Sequence, residues 1–234
     1  MSNPYIKKRK MSQLQYRKSI RLKGYDYSQP GDYFVTICTK NRVCIFGEIG
    51  EGRMTANAIG EVVEECWKSI PEHFQNSNVD VFQIMPNHVH GIITIKENAS
   101  VGVRHVEPLP KAPRQNKFQH IVPGSLGSII RSFKAAVTKE TRLLKLVGNK
   151  SHWQRNFYDH IIRNDVSYFF IQQYIELNPL LWHLDSDNPT FSQFHSESFA
   201  EEVKRRFGLN DNAIQYLIDH EVDYQAWKEK EGDE

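Results

Sequence analysis

The stretch 79-VDVFQIMPNHVHGIITI-95 constrains the fold more than any other part of the chain. Two runs rich in β-branched and aromatic residues, 79–85 and 88–95, read as strands joined through Pro86 and Asn87, a pair that belongs in a turn. Side chains alternate along a strand, so Val89, Gly91, Ile93 and Ile95 share one face of the second run and His88 and His90 share the other. Two readings of the histidines stand open: polar residues on the hydrated side of a sheet, or a pair of metal ligands.

The remaining elements group around these strands. Residues 32-DYFVTICT-39 read as an earlier strand behind the turn-like 28-SQPG-31, and a short extended piece follows near 45-IFGEI-49. Helical spacing of Ala56, Ile59, Val63, Cys66, Trp67 and Ile70 predicts a helix over 55–70, with Thr55 as its cap and Pro71 at its end. A second helix is expected over 125–145, capped by Ser125 and striped with Leu126, Ile129, Ile130, Phe133, Val137 and Leu144. A third, capped by Asn164 or Asp165, is expected to end near Asn178, because Pro179 disfavours helical geometry before it. Two short helices are expected at 197–207 and 212–220.

The 234 residues suit one domain of ordinary size with appendages. Three parts emerge: a basic arm over 1–24, a domain over 25–182 interrupted by a proline-rich basic loop at 96–124, and a helical acidic tail over 183–234. The charge is unevenly placed, for residues 1–24 hold eight Lys or Arg and no acid, whereas 201–234 hold ten acids against five bases. Lys7, Lys8, Arg9, Lys10, Arg17 and Arg21 in the arm, with Arg131, Lys134, Arg142 and Lys145 on one face of the second helix, are candidates for phosphate contacts, since cations gain affinity by releasing counterions from a polyanion. A solvated tail and a solvated helix face are the plainer readings. No apolar run approaches the ~20 residues needed to cross a bilayer, so no membrane role is expected. With no apolar segment behind the basic start and no pairing pattern among Cys38, Cys44 and Cys66, the expected compartment is the reducing cytoplasm.

Two imidazoles at i and i+2 make a compact platform for a divalent cation, but two ligands are not a site. The helix ending 174-YIELN-178 offers more: Tyr174 and Asn178 lie one turn apart on one face, a phenol that can serve as a covalent nucleophile and a carboxamide oxygen that can ligate. Tyr168, six residues before Tyr174, points elsewhere. The plainer reading of Tyr174 is a core aromatic.

Taken together, 85-MPNHVHGII-93, 153-WQRNFYDHIIRN-164 and 174-YIELNP-179, with 19-SIRLKGYDYSQPGDYFVTICT-39 and 128-SIIRSFKAAVT-138, resemble the IS200-like single-tyrosine transposases, and among them the REP-associated branch. The resemblance spans residues 17–182. It implies an α+β, ferredoxin-like domain with a central antiparallel sheet flanked by helices, followed here by the helical tail. It also implies that His88, His90 and Asn178 hold Mg²⁺ or Mn²⁺, and that Tyr174 attacks single-stranded DNA bearing a hairpin to leave a 5′-phosphotyrosine and a free 3′ hydroxyl. Such proteins act as a homodimer in some branches and as a monomer in others. The family uses glutamine where this chain has Asn178. Two alternatives accompany this reading: a relaxase or rolling-circle initiator with the same chemistry, and a domesticated hairpin-binding protein that no longer cuts.

Overall fold

The computed structural model describes residues 24–97, 122–148, 151–185, 187–190 and, further on, 200–201, 204–205, 208, 211–212 and 214–219. The basic arm with Lys7, Lys8, Arg9, Lys10, Arg17 and Arg21, most of the 96–124 segment and most of the helix expected at 197–207 lie outside the described residues.

Four strands form one antiparallel sheet: β1 (Gly31–Cys38), β4 (Ser77–Ile84), β5 (His88–Ile95) and β6 (Tyr158–Ile162), in the order β4-β5-β1-β6. Helix α1 (Ala58–Lys68) joins β1 to β4, and α3 (Leu126–Leu143) joins β5 to β6. This βαββαβ order with β1 inside the sheet is the ferredoxin-like arrangement. The extended piece expected near 45–49 is β2 (Gly47–Gly50), which pairs with β3 (Arg53–Ala56) in a separate two-stranded hairpin. Its turn residues Glu51 and Gly52 both have positive φ, 51° and 73°, which matches a turn whose twist suits the flanking strands.

Strand β1 is buried on both faces, and its alternation sorts the core into two layers. Tyr33, Val35 and Ile37 join Val89 and Ile93 against Val63 and Trp67 of α1 and Ile129, Phe133 and Val137 of α3. Phe34 and Cys38 join Ile92, Tyr158 and Ile162 under a third long helix, α4 (Asp165–Leu181), through Ile171, Tyr174 and Ile175. From the C-terminal part, Ile214 and Leu217 pack into the same layer. Covering this second face with α4 is what removes the histidine face of β5 from water. Among the described residues no helix is long and apolar enough to cross a membrane.

Local chemistry moves several expected boundaries. Asn57, not Thr55, caps α1, accepting from the amides of Ile59 and Gly60, because Thr55 is already committed to β3. The helix does not run to Ile70; it stops at Ser69, and Pro71 begins the short α2 (Ile70–His73), where a missing N–H costs nothing. Ser125 and Asn164 cap α3 and α4, as their side-chain bonds to Ser128 and Ser167 amides show. Helix α4 passes through Pro179 to Leu181, beyond the expected end at Asn178. Proline is tolerated in this last turn because Pro179 and Leu181 are buried, and Leu180 lies against Gly52 so closely that a Cβ there would sit 2.3 Å from Leu180 Cδ2.

Gly91 has a comparable steric reason. A Cβ on Gly91 would lie 2.3 Å from Cζ2 and 2.9 Å from Cη2 of Trp67, so the indole of α1 occupies the space a side chain would need. Gly91→Ala is expected to destabilise the protein by roughly 1–3 kcal/mol, as overpacking of a filled core does, read as a lower urea midpoint at unchanged slope.

Candidate active site

The centre is set by the start of β5. His88 and His90 stand on one face of the strand, opposite Cys38 and Thr36 of β1, and both are buried. The hydrated reading of the pair therefore fails: with α4 above them, the rings depend on protein partners rather than water. Their Nε2 atoms face one another at 2.9 Å.

The outer nitrogens are held. Asn87 donates from Nδ2 to the carbonyls of Arg42 at 2.9 Å and Asp187 at 2.7 Å, which leaves its Oδ1 to accept from Nδ1 of His88 at 2.9 Å. That network assigns the Nδ1-protonated form to His88, so its Nε2 presents a lone pair to the centre. Nδ1 of His90 bonds the Thr36 hydroxyl at 2.9 Å, and Phe34 stacks on the His90 ring with centroids 5.5 Å apart. Asn87, the last residue of the β4–β5 turn, and Thr36 thus orient the two rings in the manner of outer partners of metal ligands.

Helix α4 supplies the remaining groups. Tyr174 is 3% exposed and packs edge-on against His90 with centroids 5.3 Å apart. Asn178, one turn later, is also 3% exposed, and its Oδ1 is buried and accepts no hydrogen bond among the described residues. Just past the helix the chain turns back over the histidines. Trp182 tilts toward His88 at 6.1 Å, and Oδ2 of the buried Asp185 lies 3.7 Å from His88 Nε2. The Asp187 amide donates to Asp185 Oδ1 at 2.6 Å, fixing that carboxylate, while the Asp187 carboxylate forms an ion pair with Arg42.

His88, His90 and Asp185 form a buried group whose ligand atoms all lie within 4.8 Å of one another and can hold a metal ion. Adjacent ligands bonded at about 2.1 Å around an octahedral cation stand about 3.0 Å apart, close to the separation of the two Nε2 atoms. Two imidazole nitrogens and a carboxylate make a mixed nitrogen and oxygen donor set of the kind that divalent cations accept. Asp185 was invisible to motif reading, since it sits in 185-DSD-187 of the segment taken as an acidic tail; a pair of acids close behind the Tyr174 helix was the available signal.

The other expected residues are dispersed. Arg131 and Arg142 are exposed on α3, on the opposite side of the sheet from Tyr174. Lys134 serves the structure, with Nζ donating to the carbonyls of Gln154 at 2.9 Å and Asn156 at 2.8 Å beside the Phe157 ring. Trp153 and Tyr158 are core residues.

Burial pushes His90 down to about 3 from an ordinary 6.5. The folded protein thus binds fewer protons there than the unfolded chain whenever the pH lies between those values, so its stability is full above pH 6.5 and falls as the pH drops toward 3. The urea midpoint is expected to decrease between about pH 7 and pH 5 in metal-free protein, and His90→Asn should flatten that decrease.

No family model matches the chain. A protein of Haemophilus influenzae, strain Rd, known only as uncharacterized, is 44% identical over 173 residues, covering 74% of this chain and 93% of that protein. Among solved structures, a REP-associated tyrosine transposase bound to a REP hairpin aligns with a TM-score of 0.43 at 18% identity, covering 71% of this chain and 72% of that one. A putative transposase from Deinococcus radiodurans R1 aligns with a TM-score of 0.36 at 16% identity, covering 65% and 92%.

Proposed function

The chain belongs to one family with the Haemophilus influenzae protein, and for this member we propose a metal-dependent transposase activity that cuts and rejoins single-stranded, hairpin-bearing DNA through a 5′-phosphotyrosine. The observation that carries the reading is the packing of Tyr174 against His90 at 5.3 Å, where a candidate nucleophile meets a converging pair of imidazole nitrogens. The ordered motifs around His88, His90, Tyr174 and Asn178 support it independently.

In this reading His88 and His90 hold the cation with Asn178, whose buried Oδ1 accepts no hydrogen bond among the described residues, and Asp185 adds a carboxylate to the set. When bound, Mg²⁺ or Mn²⁺ supplies polarisation of a phosphoryl oxygen. The Tyr174 oxygen attacks phosphorus, a Tyr–O–P bond forms and the bond from phosphorus to the 3′ oxygen breaks. The phenol gives up one proton and the departing 3′ oxygen takes up one, so the exchange is balanced. Because one phosphodiester replaces another, a 3′ hydroxyl can reverse the step and rejoin a strand. Phe34, stacked on His90 and edge-on to Tyr174 at 6.0 Å, packs against both the ring and the phenol and so holds them in register.

His88, His90 and Tyr174 are at most 3% exposed, so a DNA strand reaches them only when the packing around them opens. The same closure favours one second reading, a hairpin-binding protein that does not cut. Incubation with labelled single-stranded hairpin DNA and Mn²⁺ is expected to yield an adduct that survives denaturing electrophoresis, is lost on chelation and is absent from Tyr174→Phe. Binding without an adduct across a broad hairpin panel would select the second reading; an adduct retained by Tyr174→Phe would remove Tyr174 as the nucleophile.

The ligand set has its own check. Titration of metal-free protein with Mn²⁺ is expected to show affinity at least about 100-fold weaker in His88→Ala and in Asp185→Asn, beyond the roughly 10- to 100-fold that loss of an outer partner costs. An unchanged affinity in Asp185→Asn would leave Asp185 outside the ligand set.

A further inference from the structure

Across the sheet from the histidines lies an open groove of about 660 Å³ between the second half of α3 and residues 151–155. Lys134, Lys139, Arg142 and Arg155 line it together with the hydroxyl-bearing Thr138 and Ser151, and among the described residues no carboxylate does. A concave surface of one charge sign concentrates field and counterions beyond what scattered surface cations achieve.

The groove is built rather than incidental. Its far wall is fastened to α3 by the two bonds from Lys134 Nζ to the Gln154 and Asn156 carbonyls. The same wall is stitched to the end of β1, where the Gln154 amide donates to the Cys38 carbonyl at 3.0 Å, the Lys40 amide to the His152 carbonyl at 2.6 Å, and Thr39 bridges Trp153. Cys38 is the register partner of His88. The groove wall therefore begins one strand away from the histidine pair, at the same end of the sheet. Arg142 acts on that wall electrostatically: the His152 imidazole is held below its ordinary range, first by burial and then by the Arg142 charge. Lys139 lies 3.4 Å from Glu140, but both are exposed, so the pair is weak and exchangeable for a phosphate.

We infer that this groove is a second nucleic-acid backbone site, in which the single strand flanking the reaction centre passes round the end of the sheet and lays its phosphates among Lys139, Arg142 and Arg155. The inference rests on the DNA-processing reading above. It differs in kind from that reading, because these residues touch neither the histidines nor Tyr174 and contribute affinity for flanking strand rather than chemistry. Phosphate binding of this sort positions a strand without reading its sequence.

Fluorescence anisotropy on the full chain tests it, with two labelled oligonucleotides: a hairpin with a single-stranded flank and the same hairpin trimmed of that flank. Lys139→Gln/Arg155→Gln is expected to weaken the flanked probe about tenfold or more and to reduce its salt slope by about 1.4, roughly 0.7 for each single-strand phosphate that the variant no longer neutralises. Affinity for the trimmed probe should change far less, and trimming should cost the variant less than it costs wild type, since both remove one interaction. Circular dichroism melts of the variant check that the fold is kept, with Arg142→Gln as a second variant expected to behave alike. Equal losses on both probes, or unchanged affinity and slope with the flanked one, would overturn the groove while leaving the DNA reading intact. No binding of either probe by wild type would overturn the DNA reading itself and the groove with it. Displacement of the flank by inorganic phosphate beyond its ionic-strength effect would reassign the groove to free phosphate and overturn the backbone assignment.

Discussion

Two imidazole nitrogens held 2.9 Å apart under a helix are the constraint around which the structure is organised. Buried polar groups must be bonded or ligated, or they cost several kcal/mol. Here each outer nitrogen has its partner, Asn87 for one and Thr36 for the other, so the inner nitrogens can converge. The turn that carries Asn87 is tied in its own right, since its backbone carbonyl accepts from the Thr39 amide at 2.8 Å and the Pro86 carbonyl accepts from Ile45 and Phe46. A small shift of that turn would misdirect His88, which explains why so many backbone bonds of the 39–46 loop end there.

The second requirement is a lid of the right chemistry. A four-stranded sheet with α1 and α3 on one face leaves its other face bare, and α4 covers it with Ile171, Tyr174 and Ile175. The helix is fastened at both ends: the Tyr168 hydroxyl bonds the Asp80 carboxylate of β4, and Leu180 closes on Gly52 of the small hairpin. Hydrophobic burial and site assembly are thus one event, because the face that packs on Phe34 and Ile92 is also the face that sets Tyr174 against His90. The acids beyond the helix complete the electrostatics. Asp187 is matched by Arg42, and Asp185 is aimed by a backbone amide toward His88, which leaves a centre whose natural complement is a cation.

Charge is divided between the two sides of the sheet. Acids gather with the histidines under α4, whereas the charged groups lining the groove beside α3 are all cations among the described residues. The sheet end at Cys38, Thr39 and Lys40 links the two sides through its bonds to residues 152–154.

Periodicity alone determined much of this molecule. The alternation in 88-HVHGIITI-95, the α3 stripe from Leu126 to Val137, its Ser125 cap and the single-face spacing of Tyr174 and Asn178 are local properties, set by backbone geometry and steric preference, and the structure shows each of them in place, whereas Leu144, expected in that stripe, lies past the end of α3 and is exposed. Other features needed the tertiary structure. That Thr55 belongs to β3 follows from its pairing with Glu48, that α4 survives Pro179 follows from the burial of its last turn, and that Lys134 is a tie rather than a solvated cation follows from carbonyls some twenty residues away. The recruitment of Asp185 and Asp187 to the histidines is of the same kind. Such contacts depend on which distant segments the closed core brings together, and no short-range preference in the chain encodes that.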